Sequence, residues 1–373
     1  MSDLHPPEAA ALGKRLRDAG LTPRVLAAWA GTARLAALPA RLDGFAAVPA
    51  TPAAAILALF VAGAEVARAQ LRTLPDEVIE RLLAAALIEQ SGDQLRAPLA
   101  VLPLGASLLV CDRLDAPVER DLVCWPDDSS HHLATAIPPG RRGSWCDLGC
   151  GSAFAALARP ELAERIHGVD LNPRAVRFAQ LGAALSGIPQ LAASVGDIGE
   201  MHVPADLVTC NAPMPDVSEP ARRTLTALPH GTAPPRGTAP PRGTAPPAAT
   251  APVDGARLPG DRLADVMPEI WRRADAEFFP RLWLALERTV RPGGLIVVHC
   301  ACEAIIPALA DARGERVIVT YTPDGVPGFA VAWWRPDAPS RLATARRALA
   351  PDRPHLDPRD RLDALANFGD PTV

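Results

Sequence analysis

The sequence predicts an α/β protein with a doubly wound, mostly parallel sheet of seven strands, preceded by a mainly helical N-terminal module. From residue 144 onward, short apolar runs typical of strands alternate with helical stretches, which is the pattern of a parallel sheet. Before residue 100 the apolar positions follow helical spacing instead. The last two predicted strands are separated only by the turn-forming segment PDGVPG. A turn of this length joins antiparallel strands, so an antiparallel pair should complete the sheet.

Length and composition limit the classes of protein that the chain can belong to. The 373 residues are 49% hydrophobic and carry a net charge of −4, which suffices for two domains with a sizeable core. This charge gives no general electrostatic attraction for a nucleic-acid backbone. The N-terminus lacks a basic and apolar leader, and the most apolar segment contains charges, so we expect a cytoplasmic protein without membrane contact.

The seven cysteines include no CxxC pair, which favours buried free thiols in a reducing compartment. The segment HCAC, from His299 to Cys302, is the one place where a metal site deserves consideration. Buried apolar packing is the commoner role of such cysteines, so we predict no metal.

Residues 1–115 are expected to form the N-terminal domain. The stretch 75–90, PDEVIERLLAAALIEQ, places its apolar residues on one helical face behind a proline, and 91–112 contains two apolar runs that predict a β-hairpin. Helices followed by such a hairpin are typical of a winged helix. The helix carries four acidic residues and a single arginine, so a phosphate-lined groove would repel it. We therefore expect a packing or substrate-covering module without sequence-specific DNA binding.

Residues 116–337 are expected to form the second domain, and 338–373 a polar tail. The predicted strands are SWCDLG, RIHGVD, LAASV, ADLVTCN, GGLIVVHC, ERVIVTYT and FAVAWW. A proline-rich GTAPPR repeat at about 230–252 excludes helix and sheet, which predicts an extended, solvated insertion. In the tail, RLATARRALA is able to form one helix.

Glycines and carboxylates follow the first three predicted strands of this domain. The first strand ends at Asp147 and turns through Gly149 and Gly151 into a helix, where glycine permits close approach of a ligand and the helix offers free N–H groups. Asp170 ends the second strand, where an acid accepts hydrogen bonds from ribose hydroxyls. Asp197 follows the third strand, where a carboxylate can receive an adenine amino group. These groups should meet at the sheet edge where open α/β sheets bind ligands.

The fourth strand ends at Asn211 in the segment VTCNAPMP, residues 208–215. Proline cannot donate to a sheet ladder and biases the residue before it toward extended backbone. The chain should therefore leave the sheet in a stiff loop that holds the Asn211 carboxamide in place.

Taken in order, these motifs make residues 120–336 resemble a class I S-adenosylmethionine-dependent methyltransferase, with its Rossmann-like sheet. The resemblance includes the glycine loop, the two acids that follow it, the RPGG segment at 291–294 and the closing hairpin. The segment DDSSHHLATAIP at 127–138 and the N-terminal module make the chain similar to the methyltransferase small-domain group and to release-factor glutamine methyltransferases. The resemblance implies S-adenosyl-L-methionine as the cofactor.

The resemblance also implies a role for each motif residue. The cofactor would contact the glycine loop, the strand-end acids and their neighbours, namely Ser130, Asp147, Gly149, Gly151, Asp170, Asn172, Asp197, Ile198 and Asn211. Asn211 and Pro213 match the catalytic Asn-Pro-Pro-aromatic motif, whose Asn oxygen accepts a hydrogen bond from a planar substrate nitrogen. Ala212 replaces the first proline of that motif, and Met214 replaces the aromatic residue.

Three functions remain open at this point. The first is N-methylation of a planar nitrogen, with a protein glutamine as the leading acceptor and an RNA or DNA base next. The second is O- or N-methylation of a small secondary metabolite, which suits the missing aromatic because a stacking face worth roughly 1–3 kcal/mol is lost. The third is a non-catalytic cofactor-binding module, suggested by the altered loop and the repeat that follows it.

Overall fold

The computed structural model describes residues 5–32, 34–39, 51–116, 121–200, 203–213, 274, 277–322 and 328–348. The GTAPPR repeat and Met214 lie outside these ranges. The helices are α1 (Pro6–Asp18), α2 (Pro23–Ala30), α3 (Pro52–Leu57), α4 (Asp76–Ala84), α5 (Asp128–Ala136), α6 (Phe154–Ala158), α7 (Pro173–Ser186), α8 (Phe278–Thr289) and α9 (Cys302–Ala310). The strands are β1 (Val66–Ala67), β2 (Glu89–Ser91), β3 (Gln94–Arg96), β4 (Ala100–Leu104), β5 (Ser107–Cys111), β6 (Trp145–Leu148), β7 (Ile166–Asp170), β8 (Leu191–Val195), β9 (Ala205–Asn211), β10 (Val290–Ala301), β11 (Glu315–Thr322), β12 (Phe329–Arg335) and β13 (Arg341–Ala348).

The main sheet has eight strands in the order β13-β11-β12-β10-β9-β6-β7-β8. Strand β12 is antiparallel to both of its neighbours, and the other neighbouring strands are parallel. The predicted antiparallel pair is therefore confirmed as β11–β12. Because β6 and β9 are adjacent at the centre, their carboxyl ends open onto the same edge of the sheet.

The predicted count of seven strands is wrong, because β13 adds an eighth. Residues of RLATARRALA, expected as a helix, instead pair in parallel with β11 from Glu315↔Arg341 to Thr322↔Ala348. The free edge of β11 carries unpaired backbone groups, and strand pairing satisfies them. Pairing at this edge overrides the local helical preference of the segment, and the sheet continues past the expected boundary at residue 337.

Two apolar cores cover the two faces of the main sheet. The first core contains Trp145 and Trp333 from the sheet together with Leu12 and Phe60 of the N-terminal module. The second core, on the other face, contains Ile296 and residues of α8 and α9. The first core therefore runs without interruption from the N-terminal helices into the sheet.

The N-terminal module follows the predicted order of helix and hairpin with two differences. Helix α4 ends at Ala84, not at residue 90, because Ala86 adopts a left-handed conformation with φ of 54° and redirects the chain. The single predicted hairpin is two hairpins, of which β2–β3 joins β1 in a three-stranded sheet and β4–β5 stands apart. The winged-helix interpretation stays a prediction.

The module packs closely against α7. A methyl group added at Gly13 of α1 would lie 1.8 Å from the Leu185 carbonyl oxygen, so only glycine permits this approach. The Arg17 guanidinium donates to the same oxygen at 3.3 Å, and the Leu108 N–H donates to Ser186 Oγ at 2.9 Å. None of the described helices combines the length and apolarity that crossing a membrane requires.

Candidate active site

The loop between β6 and α6 exposes an open backbone surface. Gly149 and Gly151 have φ of 67° and 54°, and a methyl group added at either would meet no atom within 4 Å. The Gly149 N–H donates to the Val169 carbonyl at 2.8 Å, which ties the loop to β7. A backbone that is both fixed and uncovered suits the close approach of a ligand.

Asp147 is buried as the penultimate residue of β6, one position before the end of the strand. The Thr209 hydroxyl donates to Asp147 Oδ1 at 2.5 Å and accepts the Trp145 indole N–H at 2.7 Å. Burial raises the pKa of Asp147 to about 7, although the hydrogen bond from Thr209 opposes this effect. Asp147 therefore exchanges its proton near neutral pH.

Asp170 ties the second strand to the glycine loop. Its two carboxylate oxygens accept the N–H groups of Gly151 and Asn172, each at 2.8 Å. Burial raises the pKa of Asp170, and the two backbone donors work against that rise. Asn172 caps α7 by accepting the Arg174 N–H at 2.8 Å and donates to the Asp121 carbonyl at 2.8 Å. Its carboxamide is thus engaged in holding the helix and the preceding segment.

Asp197 and Ile198 lie in the loop after β8. Asp197 Oδ1 accepts the Gly199 N–H at 2.7 Å, and its other oxygen lies 3.5 Å from the Arg281 guanidinium of α8. Ile198 is partly buried against the second core. The ion pair between Asp197 and the half-exposed Arg281 therefore anchors the loop to α8.

Asn211 is partly exposed at the carboxyl end of β9 and is held from two sides. Its Oδ1 lies 2.8 Å from Nδ1 of His299, its register partner on β10, and its Nδ2 donates to Ser129 Oγ at 2.8 Å. The Ala212 N–H donates to the His299 carbonyl at 2.9 Å, which also fixes the loop toward Pro213. The stiff placement of this carboxamide predicted from the prolines thus has additional side-chain support.

Helix α5 reaches Asn211 through Ser129, which the sequence reasoning missed, and not through Ser130. Asp127 caps the helix by accepting the Ser130 N–H at 3.2 Å, and the same carboxylate oxygen contacts the Ser129 hydroxyl. The DDSS segment identified the region but not which serine faces the strand. Only Ser130 is predicted as a site residue from the sequence, because helical geometry does not show which of two adjacent serines faces a strand that is distant in the sequence.

His299 was also missed as a contact of Asn211, since the sequence singled it out only as part of HCAC. Among the residues that the structure describes, no group of three His, Cys, Asp or Glu side chains is arranged to hold a metal. His299 is 2% exposed, and burial lowers its pKa to about 3, so the imidazole is neutral.

Comparison with known proteins gives the class of enzyme to which the region of these motifs is similar. Residues 141–232, which include the glycine loop, Asp170, Asp197 and Asn211, match the family described as "Methyltransferase domain". This match supports an S-adenosylmethionine-dependent methyltransferase enzyme. It confirms the class of enzyme predicted from the ordered motifs. A search of curated proteins finds no match.

Solved structures with similar folds include three methyltransferases. A predicted O-methyltransferase from Agrobacterium tumefaciens is 16% identical, with 64% of this chain and 95% of that chain covered and a TM-score of 0.36. The tRNA m1G37 methyltransferase of M. jannaschii is 12% identical, with coverages of 65% and 60% and a TM-score of 0.36. The ribosomal protein L11 methylase of Lactobacillus delbrueckii subsp. bulgaricus is 15% identical, with coverages of 55% and 77% and a TM-score of 0.31.

Proposed function

We propose that this methyltransferase transfers a methyl group to a planar nitrogen, either the carboxamide of a protein glutamine or the amino group of a nucleobase. The observation that carries this proposal is the fixed, partly exposed carboxamide of Asn211. A carboxamide accepts up to two hydrogen bonds at oxygen and donates two from nitrogen. His299 uses one lone pair of the Asn211 oxygen, and Ser129 accepts one N–H of the Asn211 nitrogen. The second oxygen lone pair is left for an N–H of the substrate.

We propose that the same sheet edge binds S-adenosyl-L-methionine, and the residues present fit this group. Gly149 and Gly151 provide the open backbone surface described above. Each Asp170 oxygen accepts one backbone N–H and keeps capacity for a ribose hydroxyl. In the loop after β8, the strand next to β7, Asp197 offers a hydrogen-bond acceptor and Ile198 an apolar contact. Asp147, Asn172 and Ser130 complete the proposed set of cofactor residues. Thr209 holds the Asp147 carboxyl group, Asn172 caps α7, and the Ser130 N–H donates to Asp127 at the start of α5.

The chemistry requires positioning more than acid or base catalysis. When bound, S-adenosylmethionine supplies an electrophilic methyl group on a good leaving group. Holding the acceptor nitrogen in line with that methyl group supplies most of the reduction in barrier. By accepting one substrate N–H, Asn211 Oδ1 orients the nitrogen lone pair, while Pro213 restricts the loop that carries Asn211. The proton that the nitrogen loses on methylation passes to water at this partly exposed position.

The replacement of Asn211 by alanine tests the proposal. Asn211→Ala should abolish methyl transfer to protein or nucleic acid while leaving the affinity for S-adenosylhomocysteine, measured by calorimetry, nearly unchanged. Labelled S-adenosylmethionine incubated with separate lysate fractions of protein, RNA, DNA and small molecules identifies the acceptor. Full activity of the variant, or absence of binding to S-adenosylhomocysteine by the folded wild type, would refute the proposal.

A second candidate is methylation of a small metabolite at oxygen or nitrogen. It is favoured by the sequence at Met214, which replaces the aromatic residue of the Asn-Pro-Pro-aromatic motif and so removes a stacking side chain. Label that appears only in the small-molecule fraction supports this candidate over the first.

We propose that the N-terminal module is winged-helix-like and serves in packing. The order β1, α4, β2, β3 and the antiparallel strand order β1-β3-β2 support this interpretation, as does the close contact of α1 with α7. We also propose a location in the reducing cytoplasm, which is supported by the lack of a CxxC pair among the seven cysteines.

A further inference from the structure

Asn211 belongs to a longer chain of side chains that the proposed function uses only in part. The Tyr321 hydroxyl contacts Nε2 of His299, and Nδ1 of His299 lies 2.8 Å from Asn211 Oδ1. Asn211 Nδ2 lies 2.8 Å from Ser129 Oγ, and the Ser129 hydroxyl contacts Asp127. We call these five residues the Asn211 chain. It connects β11, β10, β9 and α5, and Tyr321 is the only tyrosine in the sequence.

The hydrogen bonds of the Asn211 chain are consistent with one direction throughout. The Asp127 oxygen that Ser129 contacts also accepts the Ser130 N–H, so this oxygen is an acceptor, and Ser129 donates to it and accepts from Asn211. That contact turns Nδ2 of Asn211 toward Ser129 and leaves Oδ1 facing His299. His299 must then carry its proton on Nδ1, and its Nε2 must accept from the Tyr321 hydroxyl. Each link therefore fixes the orientation of the next.

We infer that His299 is a positioning residue, whose Nδ1–H holds the Asn211 carboxamide in its orientation together with Ser129, and that the contact with Tyr321 favours the Nδ1–H tautomer of His299. This inference rests on the proposed function. Without a donor at His299, Ser129 alone would oppose a half-turn of the carboxamide, and the rotated amide would present its nitrogen where the substrate N–H needs an acceptor. His299 is the cross-strand partner of Asn211, so its ring is held by the sheet itself.

A purely structural role for His299 makes different predictions. The imidazole lies among aromatic rings, with centroids 5.8 Å from Tyr321 and 5.7 Å from Phe329, and packing alone would account for its burial. In that case any replacement should reduce stability and activity together. A positioning role requires that a donor at the right place restores turnover.

The test compares three replacements of His299 with one of Tyr321. Asparagine has an N–H donor at the branch position of Nδ1, glutamine carries one further out near Nε2, and leucine carries none. We expect His299→Leu and His299→Gln to reduce kcat by about ten- to a hundredfold, because a small misplacement of a reacting group costs this much. His299→Asn should restore most of the activity. Affinity for S-adenosylhomocysteine should stay unchanged in all three.

A measurement that does not depend on activity separates this inference from the proposed function. Nitrogen chemical shifts of the His299 ring in the labelled protein report which nitrogen carries the proton. We expect the Nδ1–H tautomer in the wild type, and in Tyr321→Phe a mixture of tautomers with a partial loss of kcat. An Nε2–H tautomer in the wild type overturns the inference even if the enzyme methylates glutamine. Equal loss of kcat in His299→Asn and His299→Leu overturns it as well. If no acceptor is ever found, the tautomer result still decides whether His299 orients Asn211.

Discussion

Asp147→Asn should make the protein more stable at high pH, because the wild-type carboxyl group is buried beside Thr209 and must ionise there. Burial raises its pKa from the ordinary 3.8 to about 7 in the folded protein. Between these two values the folded state holds a proton that the unfolded state has released. Stability from this group is therefore complete below pH 3.8 and is lost as pH rises to 7.

The size of this effect follows from the same two values. Each pKa unit corresponds to 1.36 kcal/mol, so the raised pKa removes about 4 kcal/mol from the free energy of unfolding by pH 7. Asp147 is 4% exposed, so solvent screening does not reduce this figure substantially. Asparagine keeps an oxygen to accept from Thr209 and carries no charge, and should escape this loss.

Urea unfolding at pH 5, 6, 7 and 8 measures the difference between Asp147→Asn and the wild type. His299, whose low pKa gives the opposite dependence, is present in both proteins and cancels in the difference. We expect the variant to gain about 1.4 kcal/mol relative to the wild type for each pH unit up to pH 7. Asp93→Asn, in the exposed turn between β2 and β3, is the control for removing one negative charge. A difference that does not change with pH would show that the Asp147 carboxyl is ionised throughout, and the reasoning from burial would be wrong.

Two further predictions concern the site. Gly151→Ala should weaken binding of S-adenosylhomocysteine in a calorimetric titration, because the new methyl group occupies the open side of the loop, whereas Gly105→Ala should not. Gly105 has a similar φ of 59° and equally open surroundings, so both variants carry the same backbone strain of about 1–2 kcal/mol, and equal affinities would contradict the assignment. Thr209→Val should reduce the free energy of unfolding by roughly 2–4 kcal/mol, because the Trp145 N–H and an Asp147 oxygen each lose a partner, and Thr209→Ser should restore it.

The sequence predicts this sheet edge well because each motif residue is specified locally. Asp147 and Asp170 lie near the carboxyl ends of neighbouring strands and Gly151 lies in the loop that follows the first of them, and parallel strands must bring those ends together. The sequence could not predict the contacts of Asn211, because they are not specified locally. Its partners Ser129 and His299 are 82 and 88 residues away in sequence, and only the packed sheet shows which side chains on α5 and β10 face it.

Errors in the predicted fold occur where tertiary contacts decide between two local possibilities. RLATARRALA has the alanine and arginine content of a helix, yet it completes the edge of β11. Helix α4 stops six residues early because Ala86 takes a left-handed conformation that alanine rarely adopts and that no residue pattern signals.

The continuous first core prevents the N-terminal module from being separated cleanly from the catalytic part of this enzyme. Leu12 and Phe60 pack in the same buried cluster as Trp145 and Trp333. The contact between the module and the sheet is therefore part of one hydrophobic core and is not a boundary between two separate cores. Excision of the catalytic part at residue 116 would leave the outer side of α7 bare, with a notch shaped for Gly13. Exchange of the N-terminal module between related enzymes would therefore require the matching face of α7 to be transplanted with it, and the two parts would be expected to vary together as one unit.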